Sequence, residues 1–233
     1  MAHLDNVNSE MLKSLALQIG NAVSPSSEDG SSALFATDAE SSSVTDAVDF
    51  GLDAEPDASS PLTLGETLTV WKLKDAAFAA IADSTISGDV NDWVEPTSFL
   101  YHQLKWHSEP QGFARSSVTN AGATTTSAQK IALCQISTSP IASRLHQQFT
   151  KIDSNELEGF DDPVVRLLEI PPYHVTALWL YEESSGQSRL IVISAPAGQE
   201  QLKPDAVLTS KEFFDGLTSS GPIVGVGLKP RSL

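Results

Sequence analysis

Two histidines and one arginine are the residues of this sequence whose types could support acid–base chemistry. His102 lies in the alternating run FLYHQLKWH, and His174 lies in the alternating run YHVTALWLY. Each shares a predicted strand face with apolar neighbours, so both imidazoles could point at the same core or cleft. An imidazole can act as a general base near neutral pH, and Arg115 could hold an anionic group beside it. The three residues are therefore candidates for a hydrolase site.

The same residues have a structural interpretation, which we favour. Histidines on apolar strand faces also occur as hydrogen-bonded core residues. Two histidines do not make a zinc site without further ligands, and no carboxylate can be assigned to them from spacing. We therefore expect no metal, no cofactor and no assembled catalytic set.

Other chemical motifs are missing from the sequence. There is no phosphate-binding loop, no nucleophile elbow and no paired-histidine zinc motif. The single cysteine, Cys134, lies in the apolar run KIALCQIS, where we expect a small core side chain. The carboxylates between Asp153 and Asp162 lack the spacing of a calcium-binding loop. An enzyme is therefore the less favoured interpretation.

Charge and composition limit the partners of the chain. Its formal net charge is −16 over 233 residues, which opposes binding to the phosphates of nucleic acids and to anionic membrane surfaces. No apolar run approaches the roughly 18 residues of a membrane span, and the start lacks the pattern of a signal peptide. One cysteine favours a reducing compartment. We expect a soluble, cytoplasmic protein that binds neither nucleic acid nor membrane.

The first segment, residues 1–23, is predicted to contain an amphipathic helix. Met11, Leu15, Ile19 and Val23 recur at spacings of four within residues 9–23, and Pro25 ends the pattern. An isolated helix of this length is marginal in water, so it must dock on something. It could dock on its own domain, or its apolar stripe could bind a protein partner or a second copy of the chain.

The second segment, residues 24–61, is predicted to be an acidic disordered linker. It contains nine Asp or Glu residues, no Lys or Arg, and few apolar residues. Such a composition buries too little apolar surface to offset the entropy of ordering. We expect the single folded domain to span residues 62–233.

The folded domain is organised around the stretch from Pro163 to Ser194. The run PVVRLLEI, the break Pro171-Pro172, and the runs YHVTALWLY and RLIVIS predict three strands, the last two forming a hairpin. Because both faces of the middle run are largely apolar, we expect a central strand covered on both sides, with Trp179 buried.

Further elements are predicted on both sides of this stretch. We expect a helix from Thr69 to Asp83, a strand over residues 99–107, a mobile loop with a short strand over residues 108–129, and a strand over residues 130–137. Helices should start at Pro140 and, through the capping box of Thr209 and Glu212, at residue 210. The pattern predicts an α+β fold with a mainly antiparallel sheet and two or three packed helices, preceded by the amphipathic helix and the linker.

These observations predict a non-enzymatic protein-interaction or regulatory protein. The amphipathic helix on its tether supports this hypothesis. An enzyme using His102, His174 and Arg115, and a domain that binds a small ligand, are the alternatives.

Overall fold

The computed structural model describes residues 3–4, 15, 18–19, 63–106, 109–120, 129–137, 140–154 and 163–222. The strands are β1 (His3–Leu4), β2 (Thr63–Leu73), β3 (Val94–Trp106), β4 (Glu109–Asn120), β5 (Gln129–Ser137), β6 (Val164–Ile170), β7 (Val175–Glu182), β8 (Gln187–Ser194) and β9 (Val207–Thr209). The helices are α1 (Asp75–Ala82), α2 (Val90–Trp93), α3 (Pro140–Asp153) and α4 (Ser210–Ser220), with a 3₁₀ helix at Pro171–Tyr173. Leu15, Gln18 and Ile19 are helical and are called the N-terminal helix below.

The described strands form one sheet in the order β5-β4-β3-β2-β6-β7-β8-β9. Strands β2 to β5 and strands β6 to β9 each pair with their chain neighbours in antiparallel fashion. At the centre β6 pairs in parallel with both β2 and β1. The α+β class is confirmed. The expectation of a mainly antiparallel sheet is wrong, because the sheet is mixed. The reason is that the chain returns from β5 through α3 to the middle of the sheet, where β6 runs in the direction of β2.

Strand β7 is covered on both faces, as its sequence predicts. Trp179 is fully buried with residues of α1, α2 and α4, whereas Leu178 and Leu180 lie in a second cluster with residues of α3. The side-chain alternation of the strand therefore divides the core into two layers, one on each face of the sheet.

The N-terminal helix packs on the same face of the sheet as α1 and α4, but at the other end. Leu15 and Ile19 are 0% and 2% exposed and cluster with Leu104 of β3 and Ala114 of β4. In the described part of the chain, the middle of the apolar stripe therefore contacts the chain's own sheet. Met11 and Val23 lie outside the described residues, as does the predicted linker, residues 24–61.

Two predicted elements differ from the structure. The helix predicted from Thr69 is a strand as far as Leu73, and the helix begins only at Asp75. The alternation of residues 68–73 persists because Leu68 and Val70 pack in one core layer while Leu73 packs in the other. The loop predicted over residues 108–129 contains the 12-residue strand β4. Ladders to β3 and β5 hold this strand although most of its residues are small or polar.

The capping box of α4 is confirmed. The Thr209 side chain accepts a hydrogen bond from the Glu212 backbone, and the Glu212 carboxylate accepts one from the Thr209 backbone at 2.8 Å. These bonds satisfy donors that the first turn of a helix leaves free. They start α4 so that Phe213, Phe214 and Leu217 reach the core.

Candidate functional site

His102 is buried in a closed polar contact on β3. Its ring is 0% exposed, with Nδ1 3.0 Å from Thr67 Oγ1 and Nε2 2.7 Å from Ser116 Oγ. Burial lowers the pKa of the imidazole from 6.5 to about 4, so the ring is neutral at neutral pH. A neutral ring offers one donor and one acceptor, which two hydroxyls satisfy completely. This is the hydrogen-bonded core histidine that the structural interpretation predicts.

The pH dependence of stability tests this environment. Because the pKa of His102 is lower in the folded than in the unfolded chain, the unfolded chain binds the extra proton between about pH 6.5 and 4. The free energy of unfolding should therefore fall by up to about 3 kcal/mol as the pH drops through that window. Urea unfolding at several pH values measures this change. Between about pH 6.5 and 4, the free energy of unfolding should depend less steeply on pH for His102→Gln than for the wild type. The control His174→Gln should show the same pH dependence of the free energy of unfolding as the wild type. An equal pH dependence for the wild type and His102→Gln would contradict a buried, neutral His102.

His174 does not lie on a strand face with Leu178 and Leu180. It is exposed and follows the 3₁₀ helix at Pro171–Tyr173 with a φ of 51°, and β7 starts at the next residue. The two prolines force a tight turn, and His174 closes it in the left-handed region. The imidazole is therefore on the surface of a turn.

Arg115 lies on the opposite face of the sheet from His102. In the ladder between β3 and β4, Arg115 pairs with Tyr101, whereas Ala114 pairs with His102. Paired residues share a face of the sheet and consecutive residues lie on opposite faces, so Arg115 and His102 point to opposite sides. The Arg115 guanidinium forms a salt bridge of 3.0 Å with Glu169 of β6 and lies 4.5 Å from the centre of the Phe99 ring. The structure therefore does not bring His102, His174 and Arg115 together.

A small cavity of about 50 Å³ lies beside the salt bridge of Arg115 and Glu169. Tyr101 and Phe113 line it and stack with ring centres 5.0 Å apart. The Tyr101 hydroxyl is buried and has no hydrogen-bond partner among the described residues. Its burial, and to a lesser degree the charge of Glu169, raise the pKa of Tyr101, which stays neutral. The cavity can hold a few water molecules.

A polar network that the sequence did not indicate joins α2 and α4 to the central sheet. Asp89 accepts hydrogen bonds from Ser188 Oγ at 2.5 Å and from Ser210 Oγ at 2.9 Å. Ser188 Oγ in turn accepts the indole N–H of Trp179 at 2.9 Å. These three hydrogen bonds involve no imidazole, and both serines are buried. Asp89 also caps α2, because its side chain accepts a hydrogen bond from the backbone N–H of Asn91. The network ties the helices to the sheet.

Arg166 occupies an aromatic cage on the same face as Trp179. Its guanidinium carbon lies 4.4 Å from the ring centre of Trp71, 4.5 Å from that of Trp179 and 5.4 Å from that of Tyr181. Such cages bind cations through the ring faces. Here the chain's own side chain fills the position, which gives the cage a structural role.

Cys134 is exposed, in contrast to the buried thiol that its apolar run predicts. In the ladder between β4 and β5, Leu133 pairs with Ser116 and Gln135 pairs with Arg115. Cys134 has no partner between them and forms a bulge of the strand. A bulge changes the direction of side chains, and this one lies on β5, which is one of the two end strands of the described sheet. In the described ranges, no group of three or more His, Cys, Asp or Glu residues could hold a metal ion.

Strand β5 is an end of the described sheet, and the N-terminal helix contacts its outer edge. The Gln18 amide donates to the Ile131 carbonyl at 3.3 Å and accepts from the Leu133 N–H at 3.1 Å. One side chain thus meets a backbone acceptor and a backbone donor that flank Ala132. A neighbouring strand would use the same two groups. The helical periodicity marks Leu15 and Ile19, but nothing in the sequence indicates the role of Gln18.

Comparison with known proteins yields no match to a protein-family model, a curated protein or a solved structure. None of the helices described is long and apolar enough to cross a membrane.

Proposed function

We propose that this chain is a non-enzymatic protein-interaction or regulatory protein that binds an extended protein segment along the outer edge of β5. The observation that carries the proposal is the contact of Gln18 with Ile131 and Leu133. It identifies an outward acceptor and an outward donor on a nine-residue end strand. Unpaired strand edges accept additional strands, and main-chain hydrogen bonds then supply affinity.

The side chains of β5 suit such an addition. Ile131, Leu133 and Ile136 are half-buried and pack against the cluster that contains Leu104 and Ala114. Lys130 is the only charged residue in the strand. An added strand would therefore extend an apolar layer that already exists, with little charge to desolvate.

The groups that could do chemistry support this function over the alternatives. His102 is enclosed between two hydroxyls, and Arg115 is neutralised by Glu169. The cavity of about 50 Å³ is far smaller than the roughly 300 to 1,000 Å³ of small-molecule sites. A site for acid–base catalysis or for a drug-sized ligand has no comparable support in the described residues.

The compartment and the excluded partners complete the proposal. A chain with one cysteine forms no internal disulfide, which fits the cytoplasm. A net charge of −16 opposes association with nucleic acid and with anionic membranes. We propose a cytoplasmic protein with protein partners.

Photo-crosslinking from Ala132 tests the proposal. The full chain, carrying a photoreactive residue at this exposed position, should give a defined crosslinked protein product in an extract of its own cells. Leu133→Pro removes the outward N–H and should lower the yield at least about tenfold, whereas Leu133→Ala keeps the N–H and should retain the product.

A photoreactive residue at Ser184, in the exposed turn between β7 and β8, is the positional control. Melting curves of the two Leu133 variants check that both fold. A yield at Ala132 no greater than at Ser184, or equal yields for Leu133→Pro and Leu133→Ala, would refute binding along β5.

A further inference from the structure

We infer that the segment that docks on β5 is the β5 strand of a second copy of this chain, and that Gln18 occupies the docking groups when the chain is alone. The pairing would be antiparallel about a two-fold axis at Ala132. This inference rests on the proposed function, because it names the partner and the control of the same edge.

The two outward groups of β5 are self-complementary. The Ile131 carbonyl is an acceptor and the Leu133 N–H is a donor, placed symmetrically on either side of Ala132. A two-fold axis at Ala132 sets the Leu133 N–H of each copy opposite the Ile131 carbonyl of the other. The contact repeats itself and closes, as an isologous dimer interface requires.

The side chains at the axis permit this approach. Ala132 is small and exposed, so two copies can meet there without a clash between large groups. The same axis places Lys130 of one copy opposite position 134 of the other, not opposite a second lysine. The Lys130 residues of the two copies are therefore not directly opposite each other, which avoids a destabilising pair of like charges.

Gln18 competes for this interface. Its amide takes the acceptor and the donor that the second strand would need, so the two contacts exclude each other. Leu15 and Ile19, both buried on the sheet, hold the helix that carries Gln18 in place. Dimerisation through β5 therefore requires release or rotation of the Gln18 side chain.

The net charge adds a second control. Two copies of a chain with a formal charge of −16 repel each other at long range. Salt screens this repulsion, with a Debye length of about 8 Å at physiological ionic strength. Dimer formation should therefore rise with salt concentration.

A disulfide at the two-fold axis tests the inference in the full chain. In the background Cys134→Ser, which removes the native thiol, Ala132→Cys places one thiol per copy at the axis. Directly opposite residues that do not exchange hydrogen bonds lie about 4.5 Å apart between Cα atoms, within the range of a disulfide. Gln18→Met keeps the length of the side chain and removes the amide. It should raise the yield of the disulfide dimer at least about tenfold under mild oxidation.

Light scattering of the Gln18→Met chain without the new thiol should show a species with twice the mass of the monomer. The fraction of this dimer should increase with salt concentration. The control Ser184→Cys, in the exposed turn, should give no such dimer. Adding Leu133→Pro should abolish the disulfide at position 132.

The outcomes separate the two proposals. A Gln18→Met chain that stays monomeric, with no more disulfide at position 132 than at position 184, overturns the second copy as partner. If the photo-crosslink from Ala132 still captures a different protein, binding along β5 stands. Equal dimer yields with Gln18 and with Met at position 18 overturn the role of Gln18. Failure of both the crosslink and the disulfide overturns the proposed function as well.

Discussion

Trp179→Ala is expected to lower the free energy of unfolding by about 3 to 5 kcal/mol. Trp179 is fully buried, and its ring packs edge-on against Trp71 with centres 5.2 Å apart. Its indole N–H donates to Ser188, so the substitution would leave a cavity and break the network that ends at Asp89. Typical domains have only about 5 to 15 kcal/mol of stability. Urea unfolding followed by circular dichroism measures the loss.

Two further variants separate the parts of this effect. Trp179→Phe keeps most of the ring volume and removes the N–H, so its cost should be smaller, about 1 to 3 kcal/mol. Trp93→Ala removes a tryptophan that is only half-buried and donates to the Ser87 carbonyl at 2.7 Å. It should cost less than Trp179→Ala. Equal losses for Trp93→Ala and Trp179→Ala would contradict the central position of Trp179.

The double substitution Leu15→Asp with Ile19→Asp is expected to lower the melting temperature of the full chain. Both residues are buried on the sheet beside Leu104 and Ala114, and burying such a pair stabilises by about 3 to 6 kcal/mol before ordering costs. A carboxylate cannot stay unpaired in that position, so the helix should detach. Calorimetry of the variant and the wild type measures the shift.

A matched control accounts for the added charge. Ala76→Asp with Ala79→Asp adds the same two charges at exposed positions of α1, where no apolar contact is lost. An unchanged melting curve for Leu15→Asp with Ile19→Asp would contradict docking within the chain and would favour the alternative in which the stripe binds only a partner. Because the detached helix also carries Gln18, this variant should in addition form dimers through β5.

The N-terminal helix thus connects stability with the proposed interaction. Its apolar residues stabilise the sheet, and its glutamine covers the edge of β5. A partner that competes for the edge must overcome only the two Gln18 hydrogen bonds, each worth about 1 kcal/mol net. The larger apolar contact can stay in place while the edge opens.

The sequence by itself determined the elements whose causes are local. Alternation over residues 164–194 predicted β6, β7 and β8, and the residues Pro171-Pro172 predicted the break between the first two. The hydroxyl of Thr209 and the carboxylate of Glu212 predicted the start of α4. These causes act within a few residues, through side-chain periodicity, the fixed φ of proline and capping hydrogen bonds.

The tertiary structure alone decided which distant residues meet. The parallel pairing of β2 with β6 depends on where the chain returns after α3, which no local pattern specifies. The same is true of the salt bridge between Arg115 and Glu169 and of the contact of Gln18 with Ile131 and Leu133. The type of a residue such as arginine or glutamine determines which hydrogen bonds its side chain can make. Which residue it bonds to depends on the order of the strands in the sheet. The candidate site at β5 was hidden from sequence reasoning for that physical reason: a strand becomes an edge only through the positions of all the others.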